Sequence, residues 1–360
     1  MSWNWQLADW PNFYYEAESI APQERQFLLN LGGASAVLKS LESSEHKRFI
    51  IEILSQEGAE SSRIEGEFLN RESLQSSLKK QFGLEFKPKQ IRKHEVGMAE
   101  LLSDVYASFR DPLTHETLWK WHALLFKDTE IEHVGHYRTH LEPMQIISNR
   151  YDRPTIYFEA PPSAKVFTEM ERFIEWFNAP HPSILGKAAV AHVYFESIHP
   201  FEDGNGRIGR VLIEKILSKG IGKAVLIAVS KVLELRKKEY YASLGSCNKS
   251  LSATMWVNFL ADAILQAEAN ASRLLQFLIY KNTLFSSLSA QINPRQEKAL
   301  LRLFEEGPEG FQGGLSAGNY SSITKATSAT ATRDLADLVN LGALKKTGSL
   351  RHTRYWLNFP

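Results

Sequence analysis

An apolar stretch, LGKAAVAHVYFESI at 185–198, runs into His199-Pro200, crosses the loop FEDGNG at 201–206, and resumes as RIGRVLIEKILSKG at 207–220. Pro200 has no N–H and disfavours helical geometry at the residue before it, so the first helix must end at His199. Gly204 and Gly206 admit positive φ, which lets the chain reverse in a few residues. A chain with this passage is committed to a helix–loop–helix unit, with the loop amides gathered at the start of the second helix.

The flanking sequence is helical in the same way. Apolar positions recur at three- and four-residue spacing over 23–55, 60–80 and 95–127. Further helices are predicted over 163–178, 183–198, 206–219, 229–246 and 254–288. Gly83 and Pro88 punctuate FGLEFKPKQIRKHE, whose Lys87, Lys89, Arg92 and Lys93 read as a solvated connector. Residues 131–165 lack the helical period and carry β-branched and aromatic residues, predicting a short hairpin stopped by Pro161 and Pro162. The rings of Trp3, Trp5, Trp10, Phe13, Tyr14 and Tyr15 predict a terminal segment pinned onto the core. From Asn293-Pro294 onward the order is helix, helix, turn, helix and a hairpin around Gly348, which suits a winged helix-turn-helix. The expectation is a mainly α chain in three parts: an N-terminal helical region at 1–90, a helical core with a small β-hairpin at 91–288, and the winged unit at 289–360.

Composition narrows the setting. Charged residues are 23% of the chain and the net charge is +1, so no whole-protein field draws it to nucleic acid or anionic lipid. The single cysteine, Cys247, excludes an intramolecular disulfide and suits a reducing compartment. No run approaches the length of a membrane span, and MSWNWQLADWPNFYYE lacks the basic and apolar regions of a secretion signal. A cytoplasmic location is expected.

The loop carries the chemistry. Amides of a glycine-rich turn at a helix N-terminus form a nest for an anion such as a polyphosphate. Arg207 can add a charge-assisted bond to a phosphate oxygen, and Arg210 lies three residues on, on nearly the same face. Asp203 is a hard oxygen ligand beside the nest, of the kind Mg²⁺ on phosphates uses. His199 can take a proton near neutral pH. Together these parts describe attack of a hydroxyl on a nucleotide phosphate. HVGHYRTH spaces His133, His136 and His140 like metal ligands, but it reads as loop and strand, with no HExxH or cysteine pair beside it.

HPFEDGNGRIGR resembles the signature of the Fic family, HPFx(D/E)GNGRxxR, at every specified position. The family moves AMP from ATP onto a Ser, Thr or Tyr hydroxyl of a protein. The resemblance implies that His199 deprotonates the target hydroxyl, Phe201 anchors the loop and Asp203 holds Mg²⁺. It also implies a nucleotide-binding run of Gly204, Asn205, Gly206, Arg207, Ile208, Gly209 and Arg210, with the two arginines on the β- and γ-phosphates. Gly135, Tyr137 and Arg138 resemble structural parts of the same core.

Three other stretches gain meaning beside it. SSRIEGEF at 61–68 is similar to the family's inhibitory motif (S/T)xxxE(G/N), matched by Ser61, Glu65 and Gly66. Ser61 and Glu65 would share a helix face, and Glu65 would hold Arg210 away from the γ-phosphate. TIYFEAPP at 155–162 is similar in place to the family's flap, giving Ile156, Tyr157, Phe158 and Glu159 as target-pairing residues. Tyr240, Tyr241, Leu244 and Asn248 would lie on one side of a helix, forming an adenine wall with Asn248 at its edge. The alternative for the two tyrosines is plain core packing.

The expected protein is therefore an autoinhibited, Mg²⁺-dependent adenylyltransferase with ATP and a hydroxyl-bearing protein as partners. A homodimer is implied by the family alone. Removal of AMP or transfer of another nucleotidyl group is the alternative at the same site. A nucleotide-sensing DNA-binding regulator is the alternative of another class. For the C-terminal unit, Lys345, Lys346, Arg351 and Arg354 could touch phosphates, but the presumed reading helix carries Asp334 and Asp337 beside Arg333, so protein docking is favoured over DNA.

Overall fold

The structure, a computed structural model, describes residues 2–85, 93–127, 133–147 and 155–359. Lys87, Lys89 and Arg92 of the expected connector lie outside the described residues. In chain order the elements are α1 (Ala17–Ser40), α2 (Ser43–Ile64), α3 (Arg71–Gln81), α4 (Lys93–Ser108), α5 (His115–Leu125), β1 (Gln145–Ile147), β2 (Ile156–Glu159), α6 (Ser163–Asn178), α7 (Ile184–Ile198) and α8 (Asn205–Ile221). They continue with α9 (Val229–Leu235), α10 (Lys237–Gly245), α11 (Thr254–Leu288), α12 (Pro294–Glu305), α13 (Ala317–Thr324), α14 (Ser328–Asn340), β3 (Leu344–Thr347) and β4 (Arg354–Leu357). The mainly helical fold with small antiparallel hairpins is the one the periodicity predicts. None of the described helices is long and apolar enough to cross a membrane.

Four predicted helices are cut where the period alone gave no signal, the 95–127 run among them, between Ser108 and His115. The 23–55 run begins earlier, at Ala17, with Pro22 inside α1, and it breaks at the extended pair Leu41 and Glu42. The 60–80 run stops at Ile64 and restarts after Asn70, whose side chain accepts the Ser73 amide at 2.9 Å as an N-cap. The 229–246 run breaks at Arg236, where φ −109° and ψ 29° leave the helical region.

The chain divides into two units, Met1–Ala269 and Asn270–Pro360. At the centre of the first is α8, buried at nearly every position from Asn205 to Ser218. A helix covered on all sides belongs in a core, and α2, α4, α5 and α7 all pack on it. Its charged side chains must then find partners. Lys215 does so by donating to the Ser108 carbonyl at 2.7 Å with its ammonium over the Trp121 ring. The N-terminal rings do pin their segment down. Trp3 meets Phe158 edge-on at 5.5 Å, and the Trp5 indole donates to the Glu159 carbonyl at 2.7 Å. Buried Asn4 donates to Ser197 Oγ at 2.8 Å and to the Cys247 carbonyl at 3.0 Å.

The second unit gathers Leu300, Leu303, Leu335, Leu338 and Tyr320 around one apolar core. The capping box at Asn293 and Gln296 starts α12. The hairpin pairs Leu344 with Leu357 and Thr347 with Arg354. Asp334, expected on a solvent-facing reading surface, is instead buried. It accepts from Arg295 Nε at 2.9 Å, from the Tyr320 hydroxyl at 2.9 Å and from Asn293 Nδ2 at 3.3 Å. Burial raises its pKa, but the bonds from Arg295 and Tyr320 outweigh that and hold it below the usual carboxylate value. Replacing Asp334 with Ala strands the buried Tyr320 hydroxyl. We expect a loss of about 2–3 kcal/mol by equilibrium denaturation; an unchanged midpoint would remove Asp334 as the hub of this unit.

Candidate active site

The loop between α7 and α8 is fixed from three sides. His199 ends α7 in the left-handed region at φ 50°, its amide still donating to the Phe195 carbonyl at 3.0 Å. Phe201 is fully buried and stacks on His122 at 4.3 Å with the planes 10° apart. Asn205 closes the loop on itself. Its Nδ2 donates to the Phe201 carbonyl at 2.8 Å and its Oδ1 accepts the Phe201 amide at 2.9 Å. Its side chain is therefore spent inside the loop. Gly204 stands at φ 80° as the N-cap of α8, where a Cβ would lie 2.7 Å from the Phe126 ring. Asp203 accepts the Gly204 amide at 2.5 Å, and its side chain is otherwise 61% exposed.

Arg138, read from sequence only as structural, sets this geometry. It is buried, and its fork donates to the carbonyls of His199 at 2.8 Å, Pro161 at 2.6 Å and Ile198 at 3.3 Å, and to Ser163 Oγ at 2.9 Å. Its own amide donates to the Pro200 carbonyl at 2.9 Å. One planar guanidinium thus ties the end of α7 to the exit of β2 and the start of α6.

The end of α2 meets the start of α8. Gly66, at φ 84°, allows a reversal in which the Gly66 amide donates to the Arg63 carbonyl at 2.9 Å and the Glu67 amide to the Ser62 carbonyl at 3.0 Å. Glu65 is the C-cap of α2, one residue past the helix on which it was expected to sit with Ser61. The two still converge on one partner. Arg210 donates through Nε to Ser61 Oγ at 2.9 Å and through Nη2 to the Ser61 carbonyl at 2.8 Å and to Glu65 Oε1 at 2.7 Å. Glu65 also covers the nest, because a Cβ on Gly206 would sit 2.1 Å from its Oε1. A carboxylate at the N-terminus of α8 and a guanidinium at the C-terminus of α2 each complement a helix dipole. α2 is anchored farther back by buried Glu57, which accepts the Ser230 amide at 2.8 Å and the Ser230 hydroxyl at the start of α9.

Burial sets the protonation of the site. Burial, and secondarily the Arg138 charge, bring His199 down to about 4 from an ordinary 6.5, so its imidazole is a neutral acceptor at pH 7. Its Nδ1 faces Glu196 Oε2 at 3.9 Å. Burial, and then the nearby Glu65 charge, push Glu196 up to about 8. Burial opposes the charge on Arg210, but Glu65 outweighs it and raises that pKa. Arg138, Glu196 and Glu57 were not found as site residues in the sequence reading. The only signal was an acid or arginine at an otherwise buried helical or loop position.

The other expected residues separate. β2 pairs antiparallel with β1, Gln145 opposite Glu159 and Ile146 opposite Phe158. Ile156 and Tyr157 are exposed, Phe158 is buried against Trp3, and Glu159 accepts from the Gln145 side chain at 2.7 Å. Tyr240 is buried with its hydroxyl 3.0 Å from His192 Nε2, which is core packing. Tyr241 is half-exposed and donates to the Ile64 carbonyl at 3.4 Å. Asn248 lies past the end of α10 and donates to the Tyr157 carbonyl at 3.0 Å, so it shares no helix face with the tyrosines. Leu244 is half-buried on α10. Ile208 faces the core, and Gly209 faces Glu196 and His192. His133 sits 3.2 Å from Thr139 Oγ1 and His140 2.8 Å from the Glu142 carbonyl.

Residues 112–217 match the Fic/DOC family, and residues 3–84 match a domain of unknown function, DUF4172. Protein adenylyltransferase Fic of Drosophila melanogaster is 24% identical over 335 residues, which cover 84% of this chain. This chain spans 64% of that relative's length. A Fic family protein from Desulfovibrio desulfuricans has a similar fold, with a TM-score of 0.59 and 20% identity, over 97% of this chain and 98% of that one. A Fic domain containing signaling protein from Bacteroides thetaiotaomicron matches at TM-score 0.52 and 18% identity, over 69% of this chain and 96% of that one.

Arg138→Lys keeps the charge but cannot reach four acceptors with one ammonium. We expect a loss of about 1–3 kcal/mol from the unpaired carbonyls. A thermal melt equal to wild type would mean that the fork does not hold the loop.

Proposed function

The chain carries a Fic domain, and from that premise we propose that it is a protein adenylyltransferase held in check by Glu65. One observation carries the reading. The cradle of amides and guanidinium at the start of α8, built to receive an anion, already has a carboxylate of α2 in it. A nucleotide polyphosphate is the anion whose size and charge suit both the nest and two arginines about five-sixths of a turn apart on α8.

In this reading the polyphosphate of ATP lies along the start of α8, with Arg207 and Arg210 on its terminal phosphates. The target hydroxyl is brought up by backbone pairing along an edge of the hairpin of β1 and β2. His199 takes the hydroxyl proton on Nε2, because Nδ1 is turned to Glu196. The hydroxyl oxygen bonds to the α-phosphorus, the bond from that phosphorus to the bridging oxygen breaks, and pyrophosphate leaves. The protein ends with AMP on its hydroxyl and His199 with the proton.

Among the described residues no group of three or more His, Cys, Asp or Glu could hold a metal by itself. A single largely exposed carboxylate, Asp203, fits a Mg²⁺ held mostly by phosphate oxygens and water. That ion would neutralise charge on the departing pyrophosphate. While Glu65 holds Arg210, the γ-phosphate has no grip there and the α-phosphorus is misaligned for in-line attack.

Incubation with ATP followed by mass spectrometry tests the reading. Glu65→Gly should raise self-adenylylation by roughly 100-fold, the scale of a relieved misalignment. His199→Ala in that background should cost about 10²–10⁴-fold. An adduct whose mass is not that of an adenylyl group, or no adduct at all from Glu65→Gly, would refute adenylyl transfer. The acid limb of kcat/KM should fall well below 6.5, towards about 4, because the free enzyme holds His199 neutral. An acid limb at 6.5 would mean that another group, or a solvated His199, is the base.

A further inference from the structure

We propose that Glu67 is a second brake, which holds Arg207 as Glu65 holds Arg210; this rests on the reading above, in which both arginines bind nucleotide phosphates. The observation is the ion pair between Glu67 Oε2 and Arg207 Nη1. The Arg207 side chain is 7% exposed and its guanidinium lies 4.9 Å from the centre of the Phe126 ring. A guanidinium so enclosed has few alternative partners. Asp203 Oδ2 is 3.5 Å from its Nη2, and among the described residues its Nε meets no acceptor.

The turn after α2 makes the second contact a consequence of the first. Gly66 at positive φ closes the helix with two capping bonds, and the second of these fixes the Glu67 backbone on the Ser62 carbonyl. The residues on either side of Gly66 are thereby delivered to the same helix end. Glu65 falls on Arg210 and the nest, and Glu67 on Arg207 one turn nearer the loop. Glu67 is also held from α4, where His94 Nδ1 is 3.2 Å from its other oxygen. One short segment thus covers both cationic contacts of the polyphosphate site. That segment lies in the part of the chain matching a domain of unknown function.

The consequence separates binding from alignment. Arg207 cannot grip a phosphate and Glu67 together, so ATP must displace Glu67 before it seats fully. Removing Glu65 alone frees one arginine and leaves the other occupied. Glu67→Gln keeps the side-chain shape and removes the charge. Glu67→Asp draws the carboxylate back by one methylene and serves as the second variant.

The experiment measures the Kd of the full chain for ATP with Mg²⁺ by calorimetry, and self-adenylylation by mass spectrometry, in wild type, Glu65→Gly, Glu67→Gln, Glu67→Asp and Glu65→Gly/Glu67→Gln. Thermal melts establish that each variant is folded. Glu67→Gln should bind ATP about tenfold more tightly than wild type, with Glu67→Asp between the two. The double variant should label itself about tenfold faster in kcat/KM than Glu65→Gly. Equal ATP affinity in wild type and both Glu67 variants, with the double variant no faster than Glu65→Gly, overturns the second brake. Weaker ATP binding in Glu67→Gln also overturns it, since Glu67 would then support the site. Tighter ATP binding with no adenylyl group on any variant keeps the brake on Arg207 and removes the transfer reaction instead.

Discussion

A guanidinium buried where two helices meet is the constraint around which the first unit is arranged. Arg210 has almost no contact with water, and a charge in that position must be met by acceptors or it would destabilise the fold by several kcal/mol. The end of α2 supplies them: a serine hydroxyl, the carbonyl of the same serine, and the Glu65 carboxylate. The same carboxylate lies over the start of α8, where a Cβ on Gly206 would meet it, so one group answers two electrostatic demands. In the proposed reading, folding and inhibition use the same contact, and a nucleotide takes the site only by offering its own negative charge in exchange.

The remaining parts follow from placing a proton acceptor beside that cradle. The imidazole of His199 is kept neutral by burial, and Arg138 fixes the backbone that carries it. Because Arg138 also grips the Pro161 carbonyl at the exit of β2, the loop after α7 and the hairpin are positioned by one side chain. Trp5 and Asn248 hold that strand from two further directions through backbone carbonyls.

Much of the fold was legible in local pattern. Helical period located α6, α7, α8 and α11 to within about two residues, the usual margin for helix ends. The breaks at Leu41 and Arg236 were not legible, since no glycine or proline marks them and neighbouring packing decides them. In the site, His199, the glycines and both arginines follow from the spacing of one motif. Glu67 was in plain view in SSRIEGEF, yet only the turn at Gly66 shows that it reaches Arg207. Tyr240 and Asn248 were grouped by helical spacing, but α10 ends at Gly245 and the two go to different neighbours.

The sequence by itself determined the helix–loop–helix, the anion nest and the identity of the groups that can carry charge or a proton. Those properties are local: they depend on proline geometry, glycine conformation and residue type within a dozen positions. Tertiary structure decided which carboxylate meets which arginine, which histidine is stripped of water, and which aspartate turns inward. Ser61 and Arg210 are separated by 149 residues and Glu67 and Arg207 by 140, and no local pattern encodes such pairings. They arise because a buried charge must find its partner wherever the packing of helices brings one.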